Sequence, residues 1–342
     1  MKDYEIYSLK KVNLQSGESL PDAFLAYKTY GTLNADKSNV IVYPTWFAGQ
    51  HTDNEWLIGR GKALDPEHYF IIVPNMLGNG LSSSPSNTPP PYDKANFPLI
   101  TIYDNVRFQH QLVTEKFGIT KIALVVGWSL GAIQTFQWGA SYPEIIERIV
   151  PFGGVAKTRP HAQVVFEGLI AALQADSKWN GGFYTEQPKN GLSAMGRAYA
   201  PWGFSQSYYL EQLYQSEGFT TLKEYLEDYW DQVFFTFDAN DLVAMLRTGI
   251  NGDISMNPKY NGNFEQALRS ITARALVMPG STDLFFPPED NAYEIEHMPN
   301  AVFHPIDSKW GHCFGIGQNE QDSIQIDKLI KKFLLEELQE GQ

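Results

Sequence analysis

The sequence has one cysteine, Cys313, a modest set of basic residues, and no apolar run near the roughly 18 residues that span a bilayer. Each shortage excludes something. A lone cysteine cannot form an internal disulfide, so nothing calls for an oxidising compartment. The opening "MKDYEIYSLKKVNLQ" lacks the continuous apolar core of a signal peptide, and the expected location is cytoplasmic. Lys and Arg number 26 against 39 Asp and Glu, a formal charge of -13. That balance argues against nucleic acid or a membrane as a main partner, since both reward clustered basic residues. Metal sites are not expected either: there is no His-Glu-x-x-His, no cysteine pair, and no ligand-like spacing among the seven histidines. A Gly-x-Gly-x-x-Gly cofactor loop is also missing, and "GNG" (78–80) reads as a turn.

What is present reads as an α/β protein with a helical insertion. The 342 residues are 43% hydrophobic, enough for a large core. "FLAYKTYG" (24–31) and "NVIVYPTW" (39–46) are rich in β-branched and aromatic residues and end at Gly or Pro signals. "HYFIIVPN" (68–75) and "KIALVVGW" (121–128) are continuous apolar runs, as expected of strands covered on both faces. A helix is predicted over 101–118, with Thr101 and Asp104 as its cap, and another from about Leu130 to Tyr142, stopped by Pro143. "RIVPFGGVA" (148–156) is the next strand. Residues 158–262 show helical segments and no clear strand. The alternation resumes with strands at 273–280 and 301–308 and helices near 288–297 and 320–338. Residues 1–157 and 263–342 therefore form a core, a mostly parallel sheet with helices on both faces, and 158–262 form a lid.

One stretch carries chemistry. "LVVGWSLGAIQTF" (124–136) places Ser129 between Gly127 and Gly131, after a strand and at the start of a helix. That is the context a nucleophile elbow requires. Glycines on either side remove side chains that would collide in a strained turn, and the N–H of Leu130 can face an oxyanion. A serine hydroxyl needs a base, and the base an orienting acid. On such a sheet the chain order is serine, acid, histidine. "LVMPGSTDLFFP" offers Asp283 after a late strand, and "DSKWGHCFG" offers His312 in the loop after the last strand. Asp307 is a rival acid that reads better as a turn former.

These residues, together with "YKTYGTLNADKSNVIV", "NMLGNGLSSSPS", "FPLITIYDN", "FDANDLVAML" and "GSTDLFFPPED" in one order, resemble the homoserine O-acetyltransferase family of the α/β-hydrolase superfamily. The resemblance implies an α/β-hydrolase fold, a triad of Ser129, Asp283 and His312, and oxyanion donors from the backbone N–H of Leu130 and Phe47. Dimerisation through the lid is a further family expectation. The family's Gly-Gly-Ser-Met-Gly-Gly is replaced here by Gly-Trp-Ser-Leu-Gly-Ala, and its His-Ala-Leu-Thr-Gly by "TWFAG" (45–49). Trp128 is then either a wall beside the nucleophile or packing beneath the turn. Arg197 is either the anchor for a homoserine carboxylate, about one position out of register, or an exposed helix arginine.

Hydrolase and transferase share the acyl-enzyme and differ in what removes the acyl group. A transferase would take acetyl-CoA as co-substrate, and its phosphates would favour clustered cations. Arg60, Lys62, Lys157 and Arg159 are candidates, but they lie on distant segments. Trp46, Phe47, Trp128 and Trp310 flank the catalytic loops instead and suit an uncharged acyl or alkyl group. The expectation is a cofactor-free hydrolase of short-chain acyl esters. The alternatives are an O-acyltransferase acting on homoserine or a related alcohol, and a ligand-binding sensor that keeps the triad.

Overall fold

Short apolar runs become the middle of one sheet. The computed structural model describes residues 2–336. Eight strands, β1 (Glu5–Asn13), β2 (Ser19–Tyr30), β3 (Val40–Val42), β4 (Phe70–Pro74), β5 (Leu124–Trp128), β6 (Arg148–Phe152), β7 (Arg274–Val277) and β8 (Ala301–Phe303), lie in the order β1-β2-β4-β3-β5-β6-β7-β8. The first two joins, β1 to β2 and β2 to β4, are antiparallel, and the other five are parallel. Every residue of β3, β4, β5 and β6 is buried, which requires cover on both faces. The chain runs from β3 outward to β4 and then returns to place β5 on the other side of β3. That reversal opens a crevice at the carboxyl ends of β3 and β5, the usual position of a ligand site in an open α/β sheet.

Several expected elements are shorter than predicted, for local reasons. The strand predicted over 148–156 ends at Phe152 because Gly153 turns the chain with φ 55°. The strand predicted over 301–308 ends at Phe303, just before Pro305. The helix predicted over 101–118 is α1 (Ile102–Gln111), with the Thr101–Asp104 capping box in place, and it widens into a π-turn over Leu112–Lys116. The helix α2 (Leu130–Ser141) ends just before Pro143. The last helix runs Glu320–Leu335; the predicted positions 337 and 338 lie outside the described residues.

β1 was not predicted. Its register shifts between Ser8 and Lys10 and again between Lys10 and Val12, and these bulges break the alternation that marks a strand. Between β6 and β7 the described chain is helix and turn. There α3 (Pro160–Gln174) packs on α4 (Lys189–Gly203) and on the helix Ala239–Ile250. No helix among the described residues is long and apolar enough to cross a membrane.

Candidate active site

Ser129 sits in a conformation that its neighbours enforce. Its φ of 56° and ψ of -124° are outside the ordinary range for a residue with a Cβ. A Cβ on Gly127 would lie 2.2 Å from the Gly131 carbonyl oxygen, and one on Gly131 would lie 2.8 Å from that of Pro44. Only glycine fits either place. The turn is also pinned to the end of β6, where the Ser129 N–H donates to the Phe152 carbonyl at 3.2 Å.

The structure brings Ser129, Asp283 and His312 together. His312 Nε2 is 2.8 Å from Ser129 Oγ, and its Nδ1 is 2.7 Å from Asp283 Oδ2. A carboxylate only accepts, so Nδ1 carries the proton and Nε2 is left to accept from the serine hydroxyl. The other Asp283 oxygen accepts from the N–H groups of Phe285 and Phe286 at 2.8 and 3.0 Å, which fixes the carboxylate plane. Thr282 couples the acid and base loops: its hydroxyl donates to the Ser308 carbonyl and accepts from the Gly311 N–H. Asp307 accepts from Ser281 Oγ at 3.3 Å, and among the described residues it makes no hydrogen bond to the imidazole. All three central side chains are at least 95% buried.

The imidazole lies in an aromatic setting. Trp128 stacks on it with centroids 4.7 Å apart, and its Nε1 donates to the His312 carbonyl. Phe285 and Phe286 meet it edge-on at 5.1 and 5.5 Å. Both alternatives for Trp128 therefore hold, since it packs under the turn and also walls a cleft. Sequence reasoning missed Phe285 and Phe286, although they lie two and three residues after Asp283 in the acid loop.

Two backbone donors flank the serine. Leu130 is the first residue of α2, and its N–H has no partner within the helix. Phe47 lies in a turn closed by the Gly49 N–H on the Trp46 carbonyl, with Ala48 at φ 62°. Among the described residues neither N–H has a protein acceptor. The Phe47 turn is held at both ends by buried amides. Gln134 Nε2 donates to the Thr45 and Leu130 carbonyls, and Asn79 Nδ2 donates to the Gly49 carbonyl and to Asn75 Oδ1. The Met76 N–H donates to Thr45 Oγ1. Asn75, Met76 and Asn79 belong to the "NMLGNG" stretch, which the sequence marked as a turn and a shared motif but not as a support of the Phe47 turn.

The space around the serine is divided. Against Ser129 and His312 lies a cavity of about 10 Å³, room for one water. Its walls include Phe166, Leu246, Phe285 and Phe286. A cleft of about 400 Å³ lies beyond it, walled by Trp46, Trp56, Trp128, Tyr229, Trp230 and Phe237. Phe47 and Tyr199 line both, with their rings stacked at 6.0 Å. Cys313 faces the cleft, where burial pushes its thiol well above the usual range and keeps it protonated.

Two expected substrate residues lie elsewhere. Trp310 packs on Phe204 and Tyr208 at 5.5 and 5.4 Å and lines neither space, because its loop is drawn under the Ser205 turn. Arg197 is engaged by Asp231 through two bonds of 3.0 and 2.6 Å and also lines neither. It is an exposed helix arginine, 43% accessible at its side chain, paired with Asp231. The four cations considered for coenzyme A phosphates are dispersed as well. Arg60 pairs with Glu67, Lys157 with Asp253 and Arg159 with Asp290, while Lys62 donates to the Trp56 carbonyl. Among the described residues no group of three or more His, Cys, Asp or Glu could hold a metal ion.

Comparison with known proteins agrees with this geometry. The chain is 35% identical to an ethyl acetate hydrolase of Pseudomonas veronii, over 97% of this chain and 95% of that one. It is also 35% identical to a homoserine O-acetyltransferase of Chlorobium chlorochromatii, over 92% of each. The solved structure of an acetylester hydrolase from Corynebacterium glutamicum superposes with a TM-score of 0.93 at 36% identity, over 97% of this chain and 95% of that one. The family profile for the α/β hydrolase fold matches residues 40–317. The chain belongs to the α/β hydrolase fold family.

Proposed function

We propose that the protein is a serine-dependent hydrolase of short-chain acyl esters, acetyl esters first among them, acting through an acyl-enzyme. Ser129 Oγ attacks the ester carbonyl carbon while His312 Nε2 takes its proton. The carbonyl oxygen becomes an oxyanion that the N–H groups of Phe47 and Leu130 are free to receive. Collapse expels the alcohol, which takes the proton from His312, and leaves the acyl group on Ser129. Water then attacks the acyl carbon as His312 accepts its proton. A second collapse releases the carboxylic acid and returns the proton to the serine. Asp283 holds the imidazole in the required tautomer and stabilises it when charged.

One observation carries the choice of water over an amino-acid acceptor: among the described residues no Lys or Arg lines either the small cavity or the aromatic cleft. A homoserine carboxylate or the phosphates of coenzyme A would be buried there without a counter-ion, at a cost of several kcal/mol or about three orders of magnitude in affinity. The ethyl acetate hydrolase and acetylester hydrolase relatives support the same reading. The homoserine O-acetyltransferase relative supports the transferase as the second reading.

The deciding experiment is how the acyl-enzyme partitions. Purified protein is given a chromogenic acetate ester, and acetate is measured against O-acetylhomoserine as L-homoserine is raised. Acetate alone at every concentration is the expected result. Acetyl transfer that saturates with homoserine would establish the transferase instead. Absence of alcohol release from any short-chain ester would remove the enzymatic reading and leave the sensor.

A further inference from the structure

We propose that the aromatic cleft holds the alcohol half of the ester and selects arylalkyl alcohols, such as 2-phenylethanol, over short or linear alkyl ones. This deepens the esterase reading and rests on it. The cavity at Ser129 has room for about one water, so a group of methyl size fits there and the rest of the ester must lie elsewhere. The cleft beyond the Phe47–Tyr199 stack has about 400 Å³ and shares both of those residues with the cavity. An ester with its carbonyl at Ser129 and its acyl methyl against Phe166 and Leu246 therefore has one roomy direction for its alkoxy group.

The chemistry of the walls narrows what that group is. Trp46 meets Trp128 edge-on with centroids 5.0 Å apart, and Tyr229 meets Trp230 edge-on at 5.3 Å. Rings fixed in this way present both faces and edges at set angles, and a phenyl group can meet them in offset or T-shaped contact, which a linear chain cannot. Charge excludes the other candidates. Among the described residues Asp53 is the one carboxylate on the wall, and it accepts the Gln50 N–H at 2.7 Å as part of a helix start. A carboxylated or phosphorylated alcohol would find repulsion there and no cation.

The test compares kcat/KM for 2-phenylethyl, hexyl and ethyl acetate, whose alcohols are similar leaving groups. The phenylethyl ester should exceed the ethyl ester by at least about tenfold, from apolar area removed from water. It should exceed the hexyl ester by about threefold, from ring–ring geometry. Phe237→Ala should reduce the phenylethyl-to-ethyl ratio by about fivefold. Should that variant not fold, inhibition of ethyl acetate hydrolysis by the free alcohols serves with the unaltered protein, and 2-phenylethanol should bind more tightly than 1-hexanol. Equal rates for the phenylethyl and ethyl esters, or a hexyl ester as good as the phenylethyl one, would overturn the proposal. So would a ratio unchanged by Phe237→Ala. Ser129-dependent hydrolysis of ethyl acetate without activity on the phenylethyl ester would sink this inference alone. Failure of all three esters would sink the esterase reading with it.

Discussion

The strand ends and the helical segment between β6 and β7 contribute to the site in different ways. Every group placed to react comes from a turn at a strand end: Phe47 after β3, Ser129 and Leu130 after β5, Asp283 after β7, His312 after β8. The helical segment supplies walls, through Phe166, Tyr199, Tyr229, Trp230, Phe237 and Leu246. Backbone turns and their hydrogen bonds position the first set, and side-chain packing shapes the second. The separation is partial: the groups placed to react all come from the sheet edge, whereas the walls are shared between the helices and Trp46, Trp128, Phe285 and Phe286 at the strand ends.

Substitutions can break or sharpen that separation. The largest effects belong to the strand ends. Ser129→Ala and His312→Ala should each lower kcat on ethyl acetate by about 10⁴ to 10⁶, with the melting temperature close to that of the parent. Asp283→Asn should cost about 10⁴ because the amide favours the wrong imidazole tautomer. A rate near the parent's for any of the three would remove that residue from the triad.

Asn79→Asp is a subtler test. The substitution keeps the acceptor that serves Leu81 and Ser82 but removes the donor to the Gly49 carbonyl that steadies the Phe47 turn. Losing one oxyanion donor costs about 10² to 10³, so loosening one should lower kcat by about 10- to 100-fold. The gap to the parent should narrow as pH falls and the new carboxyl regains a proton to donate. A gap independent of pH would mean that Asn79 acts only on stability.

Glu294 sharpens the comparison from beneath the sheet edge. It is fully buried, and its carboxylate accepts from the Ala156 N–H and from Asn291, which also donates to the Gly154 carbonyl behind Ser129. Burial raises its pKa from 4.5 to about 8. The folded protein therefore keeps a proton that the unfolded chain releases, and stability falls as pH rises from about 4.5 to about 8. Melting curves of the parent and Glu294→Gln across that window should diverge, with the parent losing ground toward pH 8. Parallel curves would contradict the assignment.

The smallest effect belongs to the helices. Arg197→Ala breaks a pair that is 43% exposed on the arginine side, so it should cost about 1 kcal/mol or less and leave ester hydrolysis within about twofold. A large rise in KM would bring Arg197 back to the substrate.

The same division explains what could be read from the sequence. Ser129, Asp283 and His312 were legible because chain order and turn chemistry are local properties. Gly127 and Gly131 mark the elbow, and each catalytic loop follows its own strand. Asp283 prevailed over Asp307 for the same reason. The walls were not legible. Tyr199 meets Phe47 only because α4 packs against the loop that follows β8, and nothing near Tyr199 in sequence announces that contact. The surroundings of Trp310 and the choice between the two readings of Arg197 were hidden in the same way, since their partners, Phe204, Tyr208 and Asp231, lie far along the chain or across a helix pair. β1 was hidden by its bulges, and the role of Asn79 by the distance from its turn to the one it supports.

Trp128 has a consequence of another kind. Its indole lies face to face with the His312 imidazole, at a separation where a charged imidazole drains the excited state of the indole. The proposed base therefore carries an optical reporter, mounted on the strand that leads into Ser129. Light emitted by that one ring should dim when the imidazole gains a proton and recover when the proton leaves. The difference spectrum against Trp128→Phe isolates it from the other tryptophans, so proton traffic at the site can be followed without a dye, a label or a coloured substrate.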